Sequence, residues 1–312
     1  MKYLNVGVIA TVLLLCLLPA HQSVRAQRNT ADYLFWGSTV GYSRLLGSTP
    51  NMNVDGLVTG GLHIGWEVRK LHFLYRPIFL DLQYFSSRCN TSYPIPDAPI
   101  RDARLGEAIM HYDMLSPLTE TERFFIPSVG FMLGYSGNNN TKSKPQGAFY
   151  LLGGLKVSAK FDVSNNVTLK YRTTATYERY IDDYEDMPNH HYDEMASSSK
   201  EKFGLKIGVI ASLEMGWELN LNRFDKLKIG GFADCGLTPI MYGNEKASTL
   251  PDNNDATKVL VHSYYKSPEM NGKYVVPLMV GLKITYSFNM NFSRDCLKIN
   301  CRIQATQQVT SN

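Results

Sequence analysis

The chain has 312 residues, 32 Lys and Arg against 28 Asp and Glu, and many Tyr (19), Phe (14) and Gly (24). So small a charge excess argues against a nucleic-acid partner, and the length suits one large β domain or two small ones. Abundant aromatics with few helical periodicities favour an all-β chain.

The chain begins with Lys2, an apolar run over about residues 6–18, Pro19 and then Val24, Arg25 and Ala26. A charged start, a short apolar core and a small residue at the cleavage point describe a secretory signal peptide, residues 1–26, removed on export. The run is shorter than the roughly 20 residues of a membrane helix. Removing Lys2 and Arg25 lowers the formal charge from +4 to +2. Of the cysteines left, Cys89 falls in an expected loop and Cys235 on the apolar face of a strand. Cys296 and Cys301 follow the last strand closely enough to pair in an oxidising compartment.

Apolar and polar residues then alternate along most of the chain, as they do on strands, whose successive side chains face opposite ways. The first segment, about 32–44, puts Leu34, Trp36, Val40 and Tyr42 on one face. The second, about 57–68, sets Val58, Leu62, Ile64, Trp66 and Val68 against Thr59, His63 and Glu67. The third, about 72–85, follows after a gap of three residues; a Pro-rich stretch then leads to a short fourth segment at 107–115. The fifth to seventh cover about 124–135, 149–161 and 167–180. The eighth, 202–219, is apolar at every second position from Phe203 to Leu219. The ninth spans about 227–241. The last, 273–290, has an unbroken apolar face from Tyr274 to Met290 and a mixed, largely polar one opposite.

Such lengths exceed an ordinary strand and suit a tilted bilayer crossing of about 9 to 11 residues with aromatic ends. The expected fold is a transmembrane antiparallel up-and-down β-barrel over residues 27–290. About ten strands are expected, with eight as the alternative, and residues 291–312 form a periplasmic tail. Long gaps near 45–56, 86–106, 136–148, 181–201 and 242–272 alternate with short ones near 69–71, 116–123, 162–166 and 220–226. That matches long outside loops and short periplasmic turns, with both chain ends in the periplasm. Trp36, Trp66, Trp217, Tyr171, Tyr286 and Phe288 are then placed at the periplasmic rim, where amphipathic rings favour the headgroup layer. Tyr42, Tyr84, Tyr135, Tyr177, Phe203 and Tyr274 are placed at the outer one. The competing fold is a secreted β-sandwich burying the same apolar faces.

Gly41, Tyr42 and Ser43 in an early strand, the aromatic-x-x-Pro repeats ending at Pro127 and Pro277, and the closing residues 281–288 carry a likeness. They resemble the outer-membrane β-barrel domain of Bacteroidetes-type bacteria, the PorT-like barrels distantly similar to the OmpA membrane domain. The resemblance implies an outer-membrane location and, for some relatives, a part in envelope secretion. Many members have eight strands and end at the aromatic end of the last one, whereas here about twenty residues follow it.

The inward faces should carry Glu67, Asp81, Asp113, Glu178, Glu214, Glu218 and Asp234 together with Arg69, Lys156, Lys160, Lys170, Arg172, Lys206, Lys228 and Lys283. A balanced set of this kind reads as an ion-paired plug, since buried charges need partners. Asp182, Asp183, Glu185, Asp186, His190 and His191 form the densest loop cluster; carboxylates suit Ca²⁺ and imidazoles a transition metal. Their spacing matches no EF-hand or zinc signature, so a solvated acidic loop is the plainer reading. His262 beside Ser263 is the nearest approach to a nucleophile and base, but neighbours on a strand point apart. The reading is a non-enzymatic outer-membrane barrel without cofactors, structural or interacting in role. Its partners are outer-membrane lipid and, through its loops, an envelope protein or extracellular ligand. A narrow solute channel and an outer-rim hydrolase are the alternatives.

Overall fold

A computed structural model describes residues 30–289, apart from 48–50, 71–73, 103–105, 137–146, 178–188, 192–193, 203, 223–224, 240–245 and 272. The expected signal peptide, the tail with Cys296 and Cys301, and Asp182, Asp183, Glu185 and Asp186 lie outside these residues. Fourteen strands are described in chain order: β1 (Thr30–Leu46), β2 (Met52–Lys70), β3 (Leu74–Thr91), β4 (Ala98–Asp102), β5 (Gly106–Met114), β6 (Leu118–Ser136) and β7 (Ala148–Tyr177). Then come β8 (Asn189–His191), β9 (Met195–Glu201), β10 (Lys206–Asn220), β11 (Asp225–Gly236), β12 (Thr249–Asp252), β13 (Asp255–Val261) and β14 (Val276–Asn289).

Eight of them close a ring in the order β1, β2, β3, β6, β7, β10, β11, β14 and back to β1. Every neighbouring pair is antiparallel, and the seam joins the first strand to the last, Tyr33 opposite Asn289 through Leu46 opposite Val276. Closure leaves no strand edge in the wall, which a bilayer requires because its interior offers no hydrogen bonds to bare backbone.

The ring has eight strands, not ten, and the two extra segments are accounted for together. The expected fourth segment is β5, which leaves the wall and pairs with residues 171–177 of β7. The expected seventh is no separate strand: β7 runs unbroken for 30 residues through Ser164, Asn165 and Asn166, which read as a turn. Opposite that stretch the β6 register slips by one residue between Arg123 and Phe124, so the wall bends there without ending. The gaps at 116–123 and 162–166 are therefore not inner turns. The gap at 136–148 moves to the short-turn end, since Tyr135 pairs with Leu74, the first residue of β3, whose partner in β2 is Lys70.

The two faces of the wall sort by polarity. Trp36, Val40, Leu62, Ile64, Leu80, Leu82, Val129, Leu133, Leu155, Leu213, Leu282 and Ile284 all face out and are exposed. Trp36 (59 %), Trp66 (49 %) and Trp217 (60 %) ring the short-turn end, with the Tyr286 ring tilted against Trp36 at 6.2 Å and Phe288 two pairs further along. Tyr42 and Tyr274 mark the other end. Tyr135 belongs to the short-turn end, and Tyr171 and Tyr177 to neither, being buried beyond the wall. Phe203 lies outside the described residues.

Candidate functional site

The lumen is built from the alternate positions that the apolar belt leaves pointing inward. Lys156 on β7 is its centre. Its ammonium lies 2.7 Å from Asp81 Oδ2 on β3 and 2.6 Å from Asp234 Oδ2 on β11. Gln83 Nε2 donates to both carboxylates, at 2.9 and 3.1 Å, and Ser212 Oγ donates to Asp234 at 2.5 Å. Toward the short turns, Lys283 pairs with Glu214 at 2.7 Å, and the Tyr150 hydroxyl donates to the same carboxylate at 2.9 Å. Lys228 pairs with Glu67, and Lys226 with Glu218 at 2.8 Å. His63 Nε2 meets Thr285 Oγ1 at 2.8 Å. Phe35, Phe79, Met132 and Leu152 pack between these layers.

This is the plug expected from the sequence for Glu67, Asp81, Glu214, Glu218, Asp234, Lys156, Lys160, Lys228 and Lys283, all buried. Asp113, Lys170 and Arg172 are corrections: they are exposed, because β5 and the second half of β7 stand clear of the ring. Lys206 is half-buried opposite Lys160. The Arg69 side chain and Glu178 lie outside the described residues. A cavity of about 10 Å³ lies between Phe35, Glu67, Lys228 and Lys283, and one of about 20 Å³ between Lys160, Lys206, Ile210 and Thr238. Each has room for roughly a single water. An eight-stranded barrel is just wide enough for its side chains to fill.

Beyond Phe125 the outward side of β6 changes from apolar to the exposed Arg123, so the wall emerges from lipid there. Above that level β3, β6 and β7 continue, and β4, β5, β8, β9, β12 and β13 build a head over the mouth. The head packs on an apolar core that includes Phe85, Cys89, Met110, Leu118, Phe124, Leu169, Tyr171, Val261, Tyr264 and Tyr265 and runs on into the upper lumen at Ile126, Ile210 and Phe232. Phe85 and Phe124 stack at 4.4 Å across its floor. Two tyrosines hold β13 down: Tyr112 donates to Ala256 O at 2.6 Å, and Tyr171 donates to Thr257 O at 3.2 Å while accepting from Val259 N at 2.9 Å. Burial pushes the Tyr112 hydroxyl up to about 12. Two short 3-10 turns, Tyr264–Lys266 and Pro268–Met270, complete the cap, with Tyr264 and Tyr265 wholly buried.

The remaining expected sites fall as follows. Ser263 is buried and donates to Glu120 on β6 at 2.6 Å, whereas His262 Nδ1 lies 3.2 Å from Glu201 on β9. These neighbours thus point to different partners, and the pair forms no nucleophile and base. His190 and His191 occupy β8 opposite Ala175 and Thr174, and no metal-holding cluster of three His, Cys, Asp or Glu occurs among the described residues. Cys89 is on β3 and buried, not in a loop, and burial pushes its thiol up. Cys235 is a free thiol on the outward side of β11. Sequence reasoning missed Glu120 and Glu122, because residues 116–123 read as a turn.

Together these features define a transmembrane antiparallel β-barrel with a charge-paired, filled lumen and a folded cap over one mouth. No family model matches the chain, and no curated protein matches it. Among solved structures it is similar to the crystal structure of Neisserial surface protein A (NspA). The TM-score is 0.33 at 9 % identity, covering 83 % of this chain and 98 % of that one.

Proposed function

We propose that the protein is an outer-membrane barrel that displays its head as an interaction surface, with a structural or binding role and no catalysis of its own. The observation that carries this reading is the apolar core that fills the mouth, continuous from the head into the upper lumen at Ile126, Ile210 and Phe232. A pore needs an open mouth, whereas here wholly buried tyrosines cover it above a lumen bridged by ion pairs. The outer-membrane location draws support from the apolar belt, the aromatics at its ends and a leader-like start. The PorT-like aromatic-x-x-Pro repeats at Pro127 and Pro277 support a narrower version, an accessory of an envelope secretion assembly, which rests on resemblance alone.

Planar-bilayer recording of the refolded full chain tests the first part. Silent membranes are expected, and steady stepwise conductance would replace this reading with the narrow channel. Envelope fractionation tests the second: the chain should need detergent for extraction. Recovery as a folded monomer from the aqueous fraction refutes any membrane role.

A further inference from the structure

Glu120 and Glu122 project from the same face of β6 into the base of the head, beyond the level of Arg123 and so outside lipid. Both are about 1 % exposed. Glu120 is a receptor for the cap: it accepts Ser263 Oγ at 2.6 Å and the Tyr264 backbone N–H at 2.9 Å, with Asn165 Nδ2 at 2.7 Å from β7. Glu122 differs. Neither of its carboxylate oxygens has a hydrogen-bond partner among the described residues. The groups facing it are Glu120 from its own strand, Lys160 and Asp162 from β7, Cys89 from β3 and Tyr265 from the cap. Lys160 is already engaged by Asp162 at 3.2 Å.

A carboxylate in such a place is costly, because nothing donates to it and a second carboxyl stands two residues away. The neutral acid avoids most of that cost. The segment that shuts the mouth is seated directly on this pair. Its far side is held separately by Glu201, which contacts His262 at 3.2 Å and Lys266 at 3.5 Å.

We propose that Glu122, beside the cap receptor Glu120, is a proton-operated latch: neutral, it lets the 3-10 segment sit over the barrel mouth, and ionised, it drives the segment off. Burial and the nearby Glu120 push Glu122 well above the usual carboxylate range, and burial raises Glu120 despite its hydrogen bonds. When the cap lifts, water restores ordinary values, so the closed form binds more protons than the open one. Closure is therefore strongest below the ordinary carboxylate range and is lost as pH rises through the raised value.

Cys89 lies beneath the cap, facing Tyr265, and reports on opening. The experiment measures alkylation of Cys89 by N-ethylmaleimide in the refolded full chain, resolved by peptide mass spectrometry, for wild type and Glu122→Gln. Taking the ratio of the two at each pH removes the part of the thiol's ionisation common to both chains, and Glu120, His262 and Glu201 are present in both. The ratio should be near unity at about pH 5 and climb by up to about tenfold per pH unit as Glu122 ionises. A charge on Glu122 disfavours the Cys89 thiolate, which opposes the expected rise and cannot mimic it. A flat ratio up to about pH 9 overturns the latch. Should the variant fail to fold, hydrogen exchange of residues 259–270 in wild type decides. Corrected for intrinsic rates, it should accelerate with pH while β10 does not; parallel behaviour of the two overturns the proposal.

Discussion

Lys156 and Asp234 meet at 2.6 Å across the lumen although β10 separates their strands in the ring. Asp81 reaches the same ammonium from the other side, past β6. One lysine thus ties three non-adjacent strands of the wall together, and it does so where its side chain is only 4 % exposed.

Replacing Lys156 by Met should leave two buried carboxylates without their cation and cost about 3 to 5 kcal/mol. Urea unfolding in lipid vesicles measures this. Adding Asp81→Asn and Asp234→Asn to the same chain should recover most of the loss, because the site then holds no unpaired charge. Equal instability of the single and triple variants would show that packing, not charge, holds this layer.

The seam between first and last strands depends on a close approach. Gly41 faces Gly281, and a Cβ on Gly41 would lie 2.1 Å from Val280 O and 2.6 Å from the Gly281 Cα, both backbone atoms. Gly41→Val should therefore lower the fraction of closed, heat-modifiable barrel on gels. Gly153→Ala, whose added Cβ meets nothing nearer than 4.0 Å, should be tolerated.

The apolar belt predicts a depth-dependent cost on its outer face. Leu62→Arg, near the middle of β2, should destabilise by about 2 to 4 kcal/mol in vesicles. The same substitution at Leu115, exposed on the head, should cost little. A matching cost at both positions would place the head in lipid as well.

The three tryptophans supply a depth gauge. Brominated lipids labelled near the headgroup should quench Trp36, Trp66 and Trp217 more strongly than lipids labelled at the chain ends, since all three ring one interface. Stronger quenching from the bilayer centre would shift the belt along the barrel.

Glu120→Ala should strip the cap of its acceptor and leave the Ser263 hydroxyl, the Tyr264 N–H and the Asn165 amide unsatisfied, a cost of about 2 kcal/mol or more. Limited proteolysis should then cut within residues 257–270 sooner, while the barrel stays heat-modifiable. Unchanged cleavage would mean that Tyr112 and Tyr171 hold the cap unaided.

Much of this architecture was legible residue by residue. Alternation such as Phe203 to Leu219 records two different surroundings on the two sides of a strand, lipid and lumen, and each position carries that record locally. The Trp positions and the inward Glu67, Lys156, Lys228 and Asp234 follow from the same rule. Strand count did not follow, because β5 and the far half of β7 alternate too: the base of a soluble head imposes the same period as a bilayer does. Ser164, Asn165 and Asn166 look like a turn, yet Asn165 is taken up by Glu120 and the strand continues. Partners lay further beyond reach. Lys156 and Asp234 stand 78 positions apart, and Lys228 and Glu67 161. Pattern along the chain reports which medium each side chain meets, whereas closure of the ring decides which distant charges share one small dry space.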